Sequence, residues 1–114
     1  MTGLVDTHCH LQAKAFEHDL ADVVARARTA GVTDMVVCAG DASDWSRTRA
    51  VAREYGLGYM LGIHPLFVPK AKETDLQKLS TLAESSMADP HFIGIGEIGL
   101  EGLVMTIDER QEHF

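Results

Sequence analysis

The segment Asp6-Thr7-His8-Cys9-His10 sets two imidazoles at positions i and i+2 of one short stretch. In an extended strand alternate side chains share a face, so Asp6, His8 and His10 are expected to point one way and Cys9 the other. Two neutral imidazoles so placed can converge on one metal ion, and imidazole is the commonest protein ligand for zinc-like ions. Cys9 then faces a helix layer and is read as a packing residue. A second feature, Gly94-Ile95-Gly96-Glu97-Ile98-Gly99-Leu100, places Glu97 between glycines after an apolar run. A carboxylate there could bridge two ions, offsetting their charge and setting their spacing. Taken alone, it also reads as a solvated side chain in a glycine-rich turn. The third feature, Gly62-Ile63-His64-Pro65, carries another histidine, which Pro65 holds in extended geometry. His64 could bind a substrate phosphate, orient a ligating group, or bond to backbone as a structural residue.

These side chains need rigid elements to place them. Gly3 to His8 reads as a short strand, and His18 to Ala30 as a helix with Leu20, Val23, Val24 and Ala27 at three-to-four spacing before Gly31. Val32 to Cys38 is a second strand. Asp41 or Ser43 can cap a helix running through Trp45, Val51 and Ala52 to Tyr55, where Gly56 stops it. Gly58 to Ile63 is a third strand, and Thr74 to Met87 a helix with Leu76, Leu79, Leu82 and Ala83 on one face. Phe92 to Glu97 is a fourth strand, and from Asp108 the tail begins another helix. Strand and helix alternate with short connections, which implies a parallel sheet flanked by helices. An open doubly wound sheet and a closed eight-stranded barrel share this pattern, and periodicity does not choose between them.

The 114 residues set a ceiling of one domain, and 46% hydrophobic content is enough for a core. Lacking a run of eighteen apolar residues, the sequence contains no transmembrane helix, and a cytoplasmic location is expected. Cys9 and Cys38 do not suggest a disulfide framework. A formal charge of −7 argues against a broad basic surface for nucleic acid, although a metal site can attract phosphate locally.

The pieces Asp6-Thr7-His8-Cys9-His10-Leu11, Ala30-Gly31-Val32, Gly62-Ile63-His64-Pro65, Gly96-Glu97-Ile98-Gly99-Leu100 and Glu109-Arg110-Gln111, in this order, resemble the TatD family of metal-dependent hydrolases. The resemblance implies an α/β fold of the TIM-barrel type, about 250 residues long in the family. Residues 1–114 are then expected to be the N-terminal part of one such domain, about four β/α units of an incomplete barrel. It implies one or two divalent metal ions (zinc, magnesium, manganese or nickel) and hydrolysis of phosphodiester bonds in DNA. His8 and His10 match its first metal ligands, Glu97 its shared metal-binding and catalytic carboxylate, and His64 a histidine near the substrate pocket. Ligating imidazoles must be neutral, so activity is expected to fall in acid. Asp6 is expected to brace the site or pack inside the barrel. Glu101 stands where the family pattern has aspartate, and the family's later histidines and aspartate lie past Phe114; His113 is a poor substitute. The isolated chain is therefore expected to be poorly active and prone to self-association. The alternatives are a related amide or ester hydrolase, such as a D-aminoacyl-tRNA deacylase, a non-catalytic half barrel, or an open α/β binding protein.

Overall fold

The structure, a computed structural model, describes residues 3–99. Four strands, β1 (Leu4–Cys9), β2 (Val32–Cys38), β3 (Gly58–Leu61) and β4 (Phe92–Ile95), alternate with three helices, α1 (Leu20–Thr29), α2 (Trp45–Tyr55) and α3 (Glu73–Ser86). Short 3₁₀ turns at Lys14–Phe16, Ala42–Asp44 and Pro65–Lys70 precede the helices. Glu101, His113, the Glu109-Arg110-Gln111 motif and the helix expected from Asp108 lie outside the described residues.

Local chemistry accounts for the boundaries. On α1, Leu20 and Val24 are buried one turn apart, and Gly31 beyond its end takes a φ of 100°. Trp45, Thr48, Val51 and Ala52 form the buried stripe of α2, which ends on Gly56 in the left-handed conformation. The Asp41 carboxylate accepts from the Ser43 amide at 3.0 Å, starting the turn that leads into α2. Helix α3 is more loosely covered: Ser86 is its one fully buried residue, while Leu79 and Leu82 pack partly against the core. Leu76 of the expected apolar face is exposed and lines a groove with Ile95 and Ile98.

All three strand pairings are parallel and the order is β1-β2-β3-β4. A doubly wound sheet reverses its strand order part-way across. Here each strand is laid on the same side of the last, as in a barrel. Val37, Tyr59 and Leu61 from the central strands are wholly buried, with Val24, Val51, Ala52 and Leu57 packed in the same core. The outer strands are barer, with Leu4, Val5 and Ile93 all more than half exposed. Burying the apolar area of the central cluster supplies about 25 cal/mol per Å², which is why β2 and β3 form its centre.

Two polar contacts anchor this core. The Trp45 indole N–H donates to the Gly62 carbonyl at 2.8 Å, fixing the start of α2 against the end of β3. At the other end of the sheet, the buried Tyr59 hydroxyl donates to Asp89 Oδ2 at 2.9 Å. The His91 amide beside Asp89, followed by the Tyr59 hydroxyl and Arg53, holds its carboxyl below the ordinary 3.8. A lowered folded-state pKa stabilises the fold above the ordinary value, and that stability is lost as pH falls through the folded one. Chemical denaturation between about pH 5 and pH 2 is expected to show a smaller loss of stability for Asp89→Asn than for the unsubstituted chain. Gly62 gives a second expectation. A Cβ built there would lie 2.5 Å from the Gly96 carbonyl carbon and 2.7 Å from its oxygen. Gly62→Ala is expected to push β4 away and destabilise the chain by about 1–3 kcal/mol, read as a shift in denaturation midpoint.

Candidate metal centre

The residues that converge come from the two outer strands. In β1, Asp6 pairs with Met35 and Cys9 with Val37, so three steps along β1 match two along β2. This bulge lies at Thr7 and His8, and a bulge re-aims the side chains around it. The simple alternation expected over Asp6, His8 and His10 is accordingly broken. Asp6 Oδ1 accepts from the His8 amide at 3.1 Å, steadying the backbone of the bulge, and Asp6 stays outside the convergent group. His10 lies one residue beyond β1. Cys9 turns inward, its thiol donating to the Val36 carbonyl at 3.3 Å, and burial pushes its pKa up to about 11. It is a packing thiol, as expected. Cys38, likewise free, is raised by burial too, with Glu97 adding to the effect.

On the far side of the sheet, the backbone after β4 crosses the ends of its neighbours. The Gly96 amide donates to the Leu61 carbonyl at 2.9 Å and the Glu97 amide to the Ala39 carbonyl at 3.3 Å. Glu97 therefore follows the strand and does not belong to it, two residues past the end of β4. Its side chain is 12% exposed, against 56% for His8 and 45% for His10. The carboxylate is held inside while the imidazoles face solvent.

His8 Nε2, His10 Nε2 and a Glu97 carboxylate oxygen lie within 4.8 Å of one another. Oε1 of Glu97 contacts His8 Nε2 directly and is 3.3 Å from His10 Nε2; the two imidazole Nε2 atoms are also 3.3 Å apart. The His10 ring has a defined orientation, with Nδ1 2.9 Å from the Cys38 carbonyl oxygen. A carbonyl only accepts, so the neutral ring carries its proton on Nδ1 and presents a bare Nε2 lone pair to Glu97. Acceptor then faces acceptor at 3.3 Å, an arrangement that a cation between them relieves. Two imidazoles and one carboxylate are also a donor set that suits zinc, manganese or nickel. The residues present fit a divalent ion.

His64 is extended, with φ −62° and ψ 143°, as Pro65 requires. The Leu66 amide donates to its Nδ1 at 3.0 Å, so the neutral ring carries its proton on Nε2, which is 4.0 Å from Glu97 Oε2. The backbone contact of the structural reading is made, and the same ring lies beside Glu97. Phe67 stands edge-on to the same ring, with centroids 6.2 Å apart. A cavity of about 360 Å³ opens here, lined by His8, His64, Glu97, Cys38, Met60 and Ile95 among others. Sequence reasoning missed the Cys38 carbonyl, the Gln12 amide that donates to it and the Asp44 carboxylate that accepts from the same amide. The carbonyl is a backbone group with no residue-type signature.

Comparison with known proteins gives the chain's family. The family model "TatD related DNase" matches residues 5–114. The chain is 35% identical to the uncharacterized metal-dependent hydrolase YjjV of Escherichia coli over 98 residues, covering 85% of this chain and 37% of that protein. The crystal structure of YjjV, a TatD homolog, superposes with a TM-score of 0.83 at 31% identity, over 96% of this chain and 42% of YjjV. The human deoxyribonuclease TATDN3 is 32% identical over 109 residues, which span 87% of this chain and 38% of the human one. The 3'-5' ssDNA/RNA exonuclease TatD of Cronobacter turicensis is 30% identical, over 96% of this chain and 41% of its own. The chain thus spans less than half the length of these relatives. With four parallel strands laid in barrel order, three helices between them and the family model matched over residues 5–114, the chain belongs to the TatD-related DNase family.

Proposed function

We propose that the chain carries part of a divalent-metal centre that hydrolyses phosphodiester bonds in DNA, with His8, His10 and Glu97 as metal ligands. The observation that carries the proposal is the convergence of His8 Nε2, His10 Nε2 and Glu97 Oε1 from opposite edges of one sheet. Two neutral imidazoles and one carboxylate bring a charge of −1, so a divalent ion leaves the site net positive and attractive to phosphate. Bound there, the ion supplies Lewis acidity beside the phosphoryl group.

The side chains have separate tasks. His10 is held by the Cys38 carbonyl, so its free nitrogen needs no reorganisation to ligate. Glu97, the most enclosed of the three, supplies the anionic ligand and is the catalytic carboxylate of this reading. His64 offers its Nε2 proton on the same rim, where it can donate to a phosphate oxygen of bound substrate. The likeness to a human deoxyribonuclease and to an ssDNA/RNA exonuclease of Cronobacter turicensis supports DNA as the substrate. One or two ions of zinc, magnesium, manganese or nickel fit the donor set, and no observation favours an amide or ester substrate. Residues 1–114 are read as one part of a single barrel domain acting in the cytoplasm. Among the described residues no helix is long and apolar enough to cross a membrane. The exposed apolar side chains of β1 and β4 favour self-association of the isolated chain.

Isothermal titration with Zn²⁺ or Mn²⁺ tests the centre. His8→Ala, His10→Ala and Glu97→Gln are each expected to weaken binding at least about tenfold. Release of nucleotides from a single-stranded oligonucleotide, dependent on the metal and lost with the same variants, tests the reaction. Metal binding unchanged in all three variants would sink the proposal.

A further inference from the structure

Gln12 is a polar side chain in the core, 5% exposed, in the turn that follows β1. Its Nε2 donates to the Cys38 carbonyl at 2.8 Å and to Asp44 Oδ2 at 3.0 Å, using both of its N–H bonds. Its Oε1 is buried and has no partner among the described residues. Turning the amide over would set Oε1 against a carbonyl and a carboxylate, acceptor on acceptor, so the orientation is fixed. A buried unpaired oxygen costs stability. The residue is therefore present for its two donors, at the expense of its acceptor.

Those donors meet at one place. The Cys38 carbonyl is the group that His10 Nδ1 contacts at 2.9 Å, so its two lone pairs serve His10 and Gln12 together. Asp44 holds the other end. Its carboxylate accepts from the Gly40 amide at 3.0 Å and 3.2 Å to its two oxygens, from Asp41 at 3.4 Å, and from Gln12. It also occupies the N-cap position of α2, where a negative charge is favoured. The Gln12 backbone is held in turn, its carbonyl accepting from Arg47 Nε at 3.1 Å. A continuous path runs from the start of α2 through Asp44, Gln12 and the Cys38 carbonyl to the His10 ring.

We infer that Gln12 and Asp44 are positioning residues that aim the Cys38 carbonyl at His10 Nδ1, fixing the tautomer that leaves Nε2 free to bind metal. This rests on the metal reading for its purpose, but the orientation of His10 can be read without any metal. A purely structural Gln12, tying a loop to α2, would contribute stability and leave the His10 tautomer alone.

Nitrogen-15 correlation spectra of the metal-free chain at neutral pH read the ring tautomer directly. The unsubstituted chain is expected to show His10 protonated at Nδ1 and bare at Nε2. Gln12→Met removes both donors and the orphaned oxygen at similar volume. It is expected to mix the two tautomers and weaken Zn²⁺ binding by about tenfold, with little change in the unfolding midpoint. Gln12→Glu, which sets an acceptor where the donors were, is expected to do so more strongly. An unsubstituted chain protonated at His10 Nε2 would overturn the inference without any variant. So would a folded Gln12→Met chain that keeps the tautomer and the Zn²⁺ affinity. If no variant or parent binds Zn²⁺ yet the tautomer still depends on Gln12, the metal reading fails and the positioning role stands.

Discussion

Everything at this site depends on the two outer strands of one sheet meeting over its end. β1 and β4 are separated by β2 and β3, so in a flat sheet the outer strands would lie about 14 Å apart, three spacings of about 4.8 Å. Yet a Glu97 carboxylate oxygen contacts His8 Nε2 and lies 3.3 Å from His10 Nε2. Side-chain length spans part of the gap, and curvature must supply the rest. Sequential strand order bends the sheet in one direction and brings its strand ends around a common axis. The site is a consequence of that curl, and an open sheet with reversed strand order would not form it.

The rim is knit mostly by backbone. Carbonyls of Ala39, Gly40 and Leu61 accept from the amides of Glu97, His64 and Gly96, tying together the ends of β2, β3 and β4. Gly62 makes this close approach feasible, because any side chain there would collide with the 96–97 backbone. On this knit rim, three donors with one net negative charge are held close together. The fold supplies the stability that keeps them there, and a cation would relieve their mutual repulsion.

Much of this was legible in the residues. Alternating strand and helix patterns placed each described strand and α-helix within about two residues, since the breakers Gly31, Gly56 and Pro65 act locally. His8, His10, Glu97 and His64 were recognisable from spacing and type, and the structure brings all four to one rim. What was not legible depends on long-range geometry. The bulge at Thr7 and His8 arises from pairing with β2, which the local alternation of residues does not register. β3 and β4 stop at Leu61 and Ile95, short of the apolar runs, because ladder pairing ends where the chain turns across the rim. Gln12 carries no local signature of its role, since its partners lie 26 and 32 positions away.

The central claim is that His8, His10 and Glu97 hold a divalent ion where the curled sheet brings its outer strands together. The most direct measurement is an anomalous difference map from crystals grown with Zn²⁺ and recorded on both sides of the zinc absorption edge. The account predicts a peak about 2.0–2.2 Å from His8 Nε2, His10 Nε2 and a Glu97 oxygen. A zinc peak on other ligands, with these three side chains empty, would contradict it.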